Sequence, residues 1–277
     1  MFTLNCKGKL LTLEGPVIMG ILNATPDSFY NKGTGSSTTA LVEKAVKMME
    51  EGATILDIGG QSTRPGSERI AAEEEISRVL PVIEAIRTAL PHAILSIDTY
   101  SSTVAAAAIN AGATIVNDIS SGDMDNEMIA TVAALKVPYI GMHMKGTPAN
   151  MQHDPQYNDV LVEVMEYFIK KINDCTKAGI KDVIIDPGFG FGKTTAHNFQ
   201  LLKNLKAFAV LNKPVLAGLS RKGSIYRTLN VTTAEALNGT TVVNTMALMN
   251  GASILRVHDV KEASEAITLY NVYKKAP

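Results

Sequence analysis

Polar side chains recur at or just beyond the ends of short apolar runs: Asn23, Thr63, Arg64, Asp98, Asn117, His143, Asp186, Lys222, Arg256 and His258. Any one of them alone serves as readily to cap a turn as to do chemistry. So many together are harder to explain that way, because polar groups held near a core cost free energy unless they are paired. Asp98, Asn117, Asp186 and Lys222 suit a flat heterocycle rich in N–H and C=O groups. A carboxylate can accept two parallel N–H bonds from an amino-pyrimidine edge, as it does from an arginine fork. Asn23, Arg64, Arg256 and His258 suit an anion instead. Arg256 and His258 are two apart, so on one strand they point the same way. The set contains no Cys nucleophile and no Ser-His-Asp order. The first long strand lacks a His-x-His pair, which argues against a zinc hydrolase.

These residues need a frame, and the run Asp182 to Lys193 shows its logic. Val183-Ile184-Ile185 reads as a strand buried on both faces. It ends on Asp186, and a proline and three glycines then turn the chain tightly. The pattern recurs. Phe2 to Leu13 reads as a hairpin turning at Lys7-Gly8-Lys9, suited to plugging a barrel bottom. Strands are expected at Val17–Leu22, Thr54–Ile58, Ala93–Ile97, Thr114–Val116, Pro138–Met142, Asp182–Asp186, Pro214–Ala217 and Ser253–Val257. Helices are expected near Thr39–Glu51, Glu73–Leu90, Thr103–Ala111, Asn126–Leu135, Asn158–Ala178, Asn198–Leu205, Thr233–Asn250 and Val260–Tyr273. About eight strand-then-helix units predict one α/β domain over 1–277, a (β/α)8 barrel with an N-terminal hairpin. A doubly wound open sheet is the alternative. It would carry a glycine fingerprint after its first strand, where Asn23-Ala24-Thr25-Pro26 stands instead. In a barrel the polar strand ends converge on one mouth. Two long glycine-bearing stretches, 24–37 and 59–69, read as mobile loops beside it.

With 277 residues, 46% hydrophobic and 19% charged, the chain can bury a large core. Its net charge of -1 supplies no basic footprint for nucleic acid. Cys6 and Cys175 lack metal-ligand spacing and read as reduced structural thiols. No apolar run of membrane length and no signal pattern is present, so a cytoplasmic protein is expected. His92, His153 and His197 read as surface or helix-end residues. Met48, Met49, Met246 and Met249 read as core, and Glu73-Glu74-Glu75 as a solvated helix start.

Several blocks resemble dihydropteroate synthases, the folate-pathway enzymes inhibited by sulfonamides. They are Gly20-Ile21-Leu22-Asn23-Ala24-Thr25-Pro26-Asp27-Ser28-Phe29, Asp57-Ile58-Gly59-Gly60-Gln61-Ser62-Thr63-Arg64-Pro65-Gly66, Asp186 to Lys193, Ser220-Arg221-Lys222 and Arg256-Val257-His258. The likeness runs from about Pro16 to the C-terminus. It implies a TIM barrel, usually a homodimer. The implied reaction joins 6-hydroxymethyl-7,8-dihydropterin diphosphate to 4-aminobenzoate, releasing pyrophosphate, with Mg²⁺. The resemblance implies that Asp98, Asn117 and Asp186 hold the pterin, with Met142 on its face and Lys222 at its carbonyl side. Thr63, Arg256 and His258 would contact the diphosphate, and Asn23 would help bind Mg²⁺ and pyrophosphate. Ser220, Phe191, Thr63 and Pro65 would form the 4-aminobenzoate pocket, with Arg221 near its carboxylate and Arg64 on the anion side. Asp27 and Phe29 would lie on the first mobile loop. Dissociative substitution at the pterin methylene carbon is expected, served by Asp98, Asp186, Lys222, Arg256 and His258. A methyltransferase binding methyltetrahydrofolate shares the pterin-holding Asp and Asn but has no use for a diphosphate clamp. A non-catalytic pterin-binding protein would not need Asn23, Arg64, Lys222 and Arg256-Val257-His258 intact.

Overall fold

A computed structural model describes residues 1–25, 37–63 and 66–277, with the Ser37 side chain left aside. Strands β1 (Phe2–Cys6) and β2 (Lys9–Leu13) pair antiparallel. Lys7 and Gly8 turn between them with φ of 53° and 88°, the positive values a two-residue hairpin turn requires.

The barrel strands are β3 (Val17–Asn23), β4 (Ile55–Gly59), β5 (Ile94–Asp98), β6 (Ile115–Asp118), β7 (Tyr139–Met142), β8 (Val183–Asp186), β9 (Leu216–Ala217) and β10 (Ile254–Val257). All neighbours run parallel, in the order β8-β7-β6-β5-β4-β3-β10-β9. A parallel bridge from Ile185 to Val215 brings the two ends together, so the sheet curls into a barrel rather than an open sheet. Outside it run α1 (Ser37–Glu50), α2 (Ala72–Ala89), α3 (Ser102–Ala111), α4 (Met128–Leu135), α5 (Val160–Ala178), α6 (Thr195–Lys203), α7 (Gly223–Leu229), α8 (Leu237–Met249) and α9 (Val260–Lys275).

Side chains alternate in and out along a strand. One inward residue of every barrel strand lies in a single apolar layer: Met19, Ile55, Ile94, Ile115, Ile140, Ile184, Leu216 and Ile254. Leu4, Cys6, Leu11 and Leu13 of the hairpin close that layer, so the expected plug is present. Two residues further along, the same inward phase reads Ile21, Asp57, Ser96, Asn117, Met142, Asp186, Gly218 and Arg256, of which five are polar. The barrel interior is therefore greasy at one end and polar at the other.

Four expectations need correction. A short helix, α7, begins at Gly223, where the sequence predicts only a turn; Asn230 ends it in the left-handed region at φ 55°. The next helix begins at Leu237 rather than Thr233. Glu75 is not solvated: α2 turns it inward, and it is 3% exposed. Met246 and Met249 are 44% and 51% exposed, on the outer face of α8, whereas Met48 is core. A helical period alone does not say which apolar stripe faces inward when a helix carries two. A 3-10 run over Leu205–Leu211 was also not foreseen.

Candidate active site

The strand parity that seals one end of the barrel builds the site at the other. Arg256, on β10, reaches across to two acids. Its Nε donates to Asp57 Oδ2 at 2.6 Å, and its Nη2 donates to Asp98 Oδ2 at 2.5 Å. Asn117, on β6, donates from Nδ2 to the same Asp57 oxygen at 3.0 Å. One network thus ties four strands together: β4, β5, β6 and β10.

Asp57 is fully buried, and Asp98, Asn117 and Asp186 are nearly so. Burial raises the Asp98 and Asp186 pKa values from the ordinary carboxylate value; Arg256 opposes this at Asp98, and the Gly188 N–H at Asp186. Arg256 moves the other way overall: burial disfavours its charge, but Asp57 and Asp98 hold the proton more firmly. Lys222 at the start of α7 is pushed down to about 8, first by burial and then by the positive field of Arg256. The carboxylates of Asp186 and Asp98 pull it back. Asp186, Lys222 and Arg256 therefore sense one another across one mouth.

Asp98 Oδ1 and Asp57 Oδ1 are buried without a hydrogen-bond partner among the described residues. Buried acceptors are rarely left so, and a donor that joins the site when a ligand binds is a natural partner for them. Beside the acids lies a small apolar cluster that includes Met142, Phe191, Tyr100, Ile119 and Met151. Lys222 Nζ stands 4.2 Å from the centre of the Phe191 ring. A flat ring entering here meets acceptors on its edge and apolar faces above it.

Ser220 and His258 form a second group. The Ser220 hydroxyl oxygen accepts the His258 backbone N–H at 3.2 Å and lies 2.9 Å from His258 Nδ1. With Ser220 donating its hydroxyl proton to Nδ1, the ring proton would sit on Nε2; with Nδ1–H donating to the hydroxyl oxygen, it would not. Burial and the nearby Arg256 push the His258 pKa down to about 4, so the ring is neutral near pH 7.

Several expected residues stand differently from the simple picture. Arg256 is not an unattached anion receptor, because its guanidinium already bridges two carboxylates. The division into ring-holding acids and phosphate-holding bases therefore blurs at this residue. Arg221 makes a two-pronged pair with Asp259, 2.9 Å from Nε and 2.9 Å from Nη2, and its Nη1 donates to the carbonyls of Thr233 and Ala234. That commits it to holding the β9–α7 turn. His143 turns to Lys193 rather than to the mouth, with Nδ1 2.9 Å from Nζ. Asn23 ends β3 opposite Gly59, and Thr63 is half-buried. Arg64, Pro65, Asp27 and Phe29 lie outside the described residues.

Two residues escaped the sequence reading: Asp57 and Lys193. Asp57 was visible as an acid inside an apolar strand, in phase with Ile55. Lys193 closes the glycine-rich turn, where a lysine reads as solvated; here it is 3% exposed.

The family described as pterin binding enzyme matches residues 19–258. The chain is 45% identical over 263 residues to a dihydropteroate synthase of Escherichia coli K12, covering 94% of this chain and 93% of the relative. The chain belongs to the pterin-binding enzyme family, among its dihydropteroate synthases. A solved Xanthomonas albilineans dihydropteroate synthase with 4-aminobenzoic acid superposes at a TM-score of 0.93, with 41% identity over 99% of each chain. A structure of that enzyme in complex with 7,8-dihydropteroate gives a TM-score of 0.89 with 39% identity, covering 99% of this chain and 100% of the other. Asp57, Asn117, Asp186, Lys222, Arg256 and His258 all fall inside the matched span.

Proposed function

We propose that this barrel mouth carries out the dihydropteroate synthase reaction with the following division of labour. Asp98, Asn117 and Asp186 hold the pterin edge, Met142 packs on its face, and Lys222 donates to its carbonyl side. As the methylene carbon–oxygen bond breaks, positive charge spreads into the pterin. The acid-rich mouth stabilises that charge in a water-poor setting. His258 Nε2–H and the outer side of the Arg256 guanidinium donate to the departing diphosphate, together with Thr63 and Arg64. The aniline nitrogen of 4-aminobenzoate then attacks the methylene carbon from the pocket formed by Phe191, Ser220, Thr63 and Pro65. Its released proton needs no resident base, because the departing pyrophosphate is itself a proton acceptor. Arg221 acts by shaping the turn that carries Ser220 and Lys222. The observation that carries this reading is the Asp57–Arg256–Asp98 bridge with an unpaired Asp98 oxygen beside Asn117 and Lys222.

The donor set bears on Mg²⁺. Among the described residues no cluster of three His, Cys, Asp or Glu could hold a metal. Asn23 offers one hard amide oxygen at the mouth. That fits an ion bound mainly through substrate phosphate oxygens and water, with few protein ligands. Bound so, Mg²⁺ supplies charge neutralisation to the leaving diphosphate.

A homodimer is the expected assembly. The face of α8 and α9 supports it, since Val242, Met246, Met249, Leu269, Val272 and Tyr273 are all exposed there. Sedimentation of the parent and of V272E tests it; a monomeric parent rejects it. No helix among the described residues is long and apolar enough to cross a membrane. A cytoplasmic location fits the chain's use of reduced, buried cysteines.

Incubation with dihydropterin diphosphate, 4-aminobenzoate and Mg²⁺ should yield dihydropteroate and pyrophosphate in equal amounts. Methyl loss from methyltetrahydrofolate to a corrinoid, without pyrophosphate, would favour the methyltransferase reading instead. Pterin binding without turnover would leave a non-catalytic binder.

A further inference from the structure

Lys193 is the least expected charge in the molecule. It is 3% exposed, and no carboxylate lies within ion-pair distance of it among the described residues. Its Nζ is instead caged by four acceptors: His143 Nδ1 at 2.9 Å, the Gly188 carbonyl at 3.0 Å, the Phe191 carbonyl at 3.0 Å and the His143 carbonyl at 3.2 Å. An ammonium has three protons, so this cage saturates it. Burying a cation without a direct ion pair is costly: burial brings the Lys193 pKa down to about 7, and the more distant Asp186 carboxylate opposes that fall. A sequence needing only a solid turn could have used a neutral residue there.

The cage is built around the turn that carries two site residues. Gly188 uses its N–H to hold Asp186 Oδ1 at 2.8 Å, while its carbonyl accepts both Lys193 and the Phe191 N–H. The His143 N–H donates to the Asp186 carbonyl at 3.0 Å. Lys193 therefore grips two residues that hydrogen-bond to Asp186, and also grips Phe191, whose ring faces Lys222. The turn is pressed hard against the segment after β7. A Cβ at Gly188 would collide with the His143 carbonyl, and one at Gly192 with the Lys145 carbonyl. Both glycines have positive φ, 72° and 63°.

We propose that Lys193 is a positioning residue for the condensation: its ammonium sets the shape of turn 188–192 and so aims the Asp186 carboxylate and the Phe191 ring at the two substrates. The inference rests on the dihydropteroate synthase reading. It adds a residue that touches neither substrate, and it assigns His143 the Nε2–H tautomer, with Nδ1 as the acceptor.

Two measurements test it. The first is steady-state kinetics of K193M and K193Q beside the parent, with folding checked by circular dichroism. K193M removes every donor from the cage. It should raise the KM for both substrates and lower kcat, with kcat/KM falling about a hundredfold. K193Q keeps two N–H donors without the charge and should recover part of that loss. A protein that merely lost stability would melt earlier yet keep its KM values when assayed cold. Folded K193M with kinetic constants within about twofold of the parent overturns the proposal. The second measurement is independent of turnover: the nitrogen-15 shifts of His143 in the intact parent enzyme. They should report an unprotonated Nδ1, and a protonated Nδ1 overturns the cage. Should K193M not fold, K193Q and the His143 shifts decide. A parent that makes no dihydropteroate defeats the functional reading, and with it the positioning role, even when the His143 shifts uphold the cage.

Discussion

Arg256 donates to Asp57 at 2.6 Å through its Nε, and the accepting oxygen is the one that also holds Asn117. One buried carboxylate therefore orients a cation and an amide from opposite sides of the barrel. In D57N the side-chain volume stays the same, but the charge that anchors Arg256 goes. Breaking a buried charge pair by neutralising one partner typically costs about 3–5 kcal/mol. We expect kcat/KM to fall at least about a hundredfold, together with a lower Tm. Steady-state assays and a thermal melt check this. Parent-like kinetics in D57N would mean that Arg256 is held well enough by Asp98 alone.

Lys222 sets the expected alkaline limb. Burial and Arg256 bring its pKa down to about 8 from the ordinary 10.5. Only the ammonium form donates fully to the pterin carbonyl side, so activity belongs to the protonated state. The kcat/KM profile, which reports the free enzyme, should therefore fall as pH rises through about 8. In K222Q the rate should drop and the component near 8 should disappear, leaving the fall that belongs to Lys193, whose pKa burial brings down to about 7. His258 does not titrate in this range, because its pKa is held down to about 4. A component near 8 that persists in K222Q belongs to another group.

The strand ends were readable because a buried parallel strand writes an apolar run and then stops on a polar residue. The two-residue phase of Ile55 with Asp57, Ile115 with Asn117, Ile184 with Asp186 and Ile254 with Arg256 was also present in the order of residues. What could not be read is how the long side chains are spent. Nothing local in Ser220-Arg221-Lys222 says that Arg221 turns to Asp259 while Lys222 turns to the acids; that depends on partners 38 residues away in the chain for Arg221. Glu75 was misjudged and Lys193 passed over for a related reason. Composition makes a charge look solvated, and only the packing of neighbouring loops shows it enclosed. The helix α7 was hidden because seven residues carry too little periodicity to stand out.

The Arg221–Asp259 pair gives a test of whether Arg221 serves substrate or structure. Both side chains are about one-fifth exposed, at 21% and 20%, so solvent screens the pair and its direct worth to stability is about 1 kcal/mol or less. Its value lies in fixing the turn that carries Ser220 and Lys222. R221Q and D259N should each raise the KM for 4-aminobenzoate. The double variant should be no worse than either single one, because all three remove the same link. Additive losses would instead show Arg221 acting on the carboxylate of 4-aminobenzoate in its own right.

Glu75 predicts a pH dependence of stability rather than of rate. It lies in the first turn of α2, 3% exposed, with Oε1 lacking a partner among the described residues. Burial drives its pKa up to about 7 from 4.5, and the neighbouring Asp98 carboxylate adds to the rise. Hydrogen bonding from Thr99 and the charges of Arg78 and Arg69 oppose it. A carboxyl with a raised pKa binds more protons folded than unfolded between those two values. Stability therefore falls as pH rises through that window, and the full penalty is present above about 7. A shift of this size corresponds to about 3–4 kcal/mol as an upper bound. E75Q has the same shape and no charge at any pH. Its Tm should sit close to the parent's near pH 4 and exceed it by about 4–8 °C near pH 8. Melts across that range decide the matter. A constant difference would mean that the Glu75 carboxylate is stabilised by partners stronger than Thr99, and that its burial carries no charge penalty.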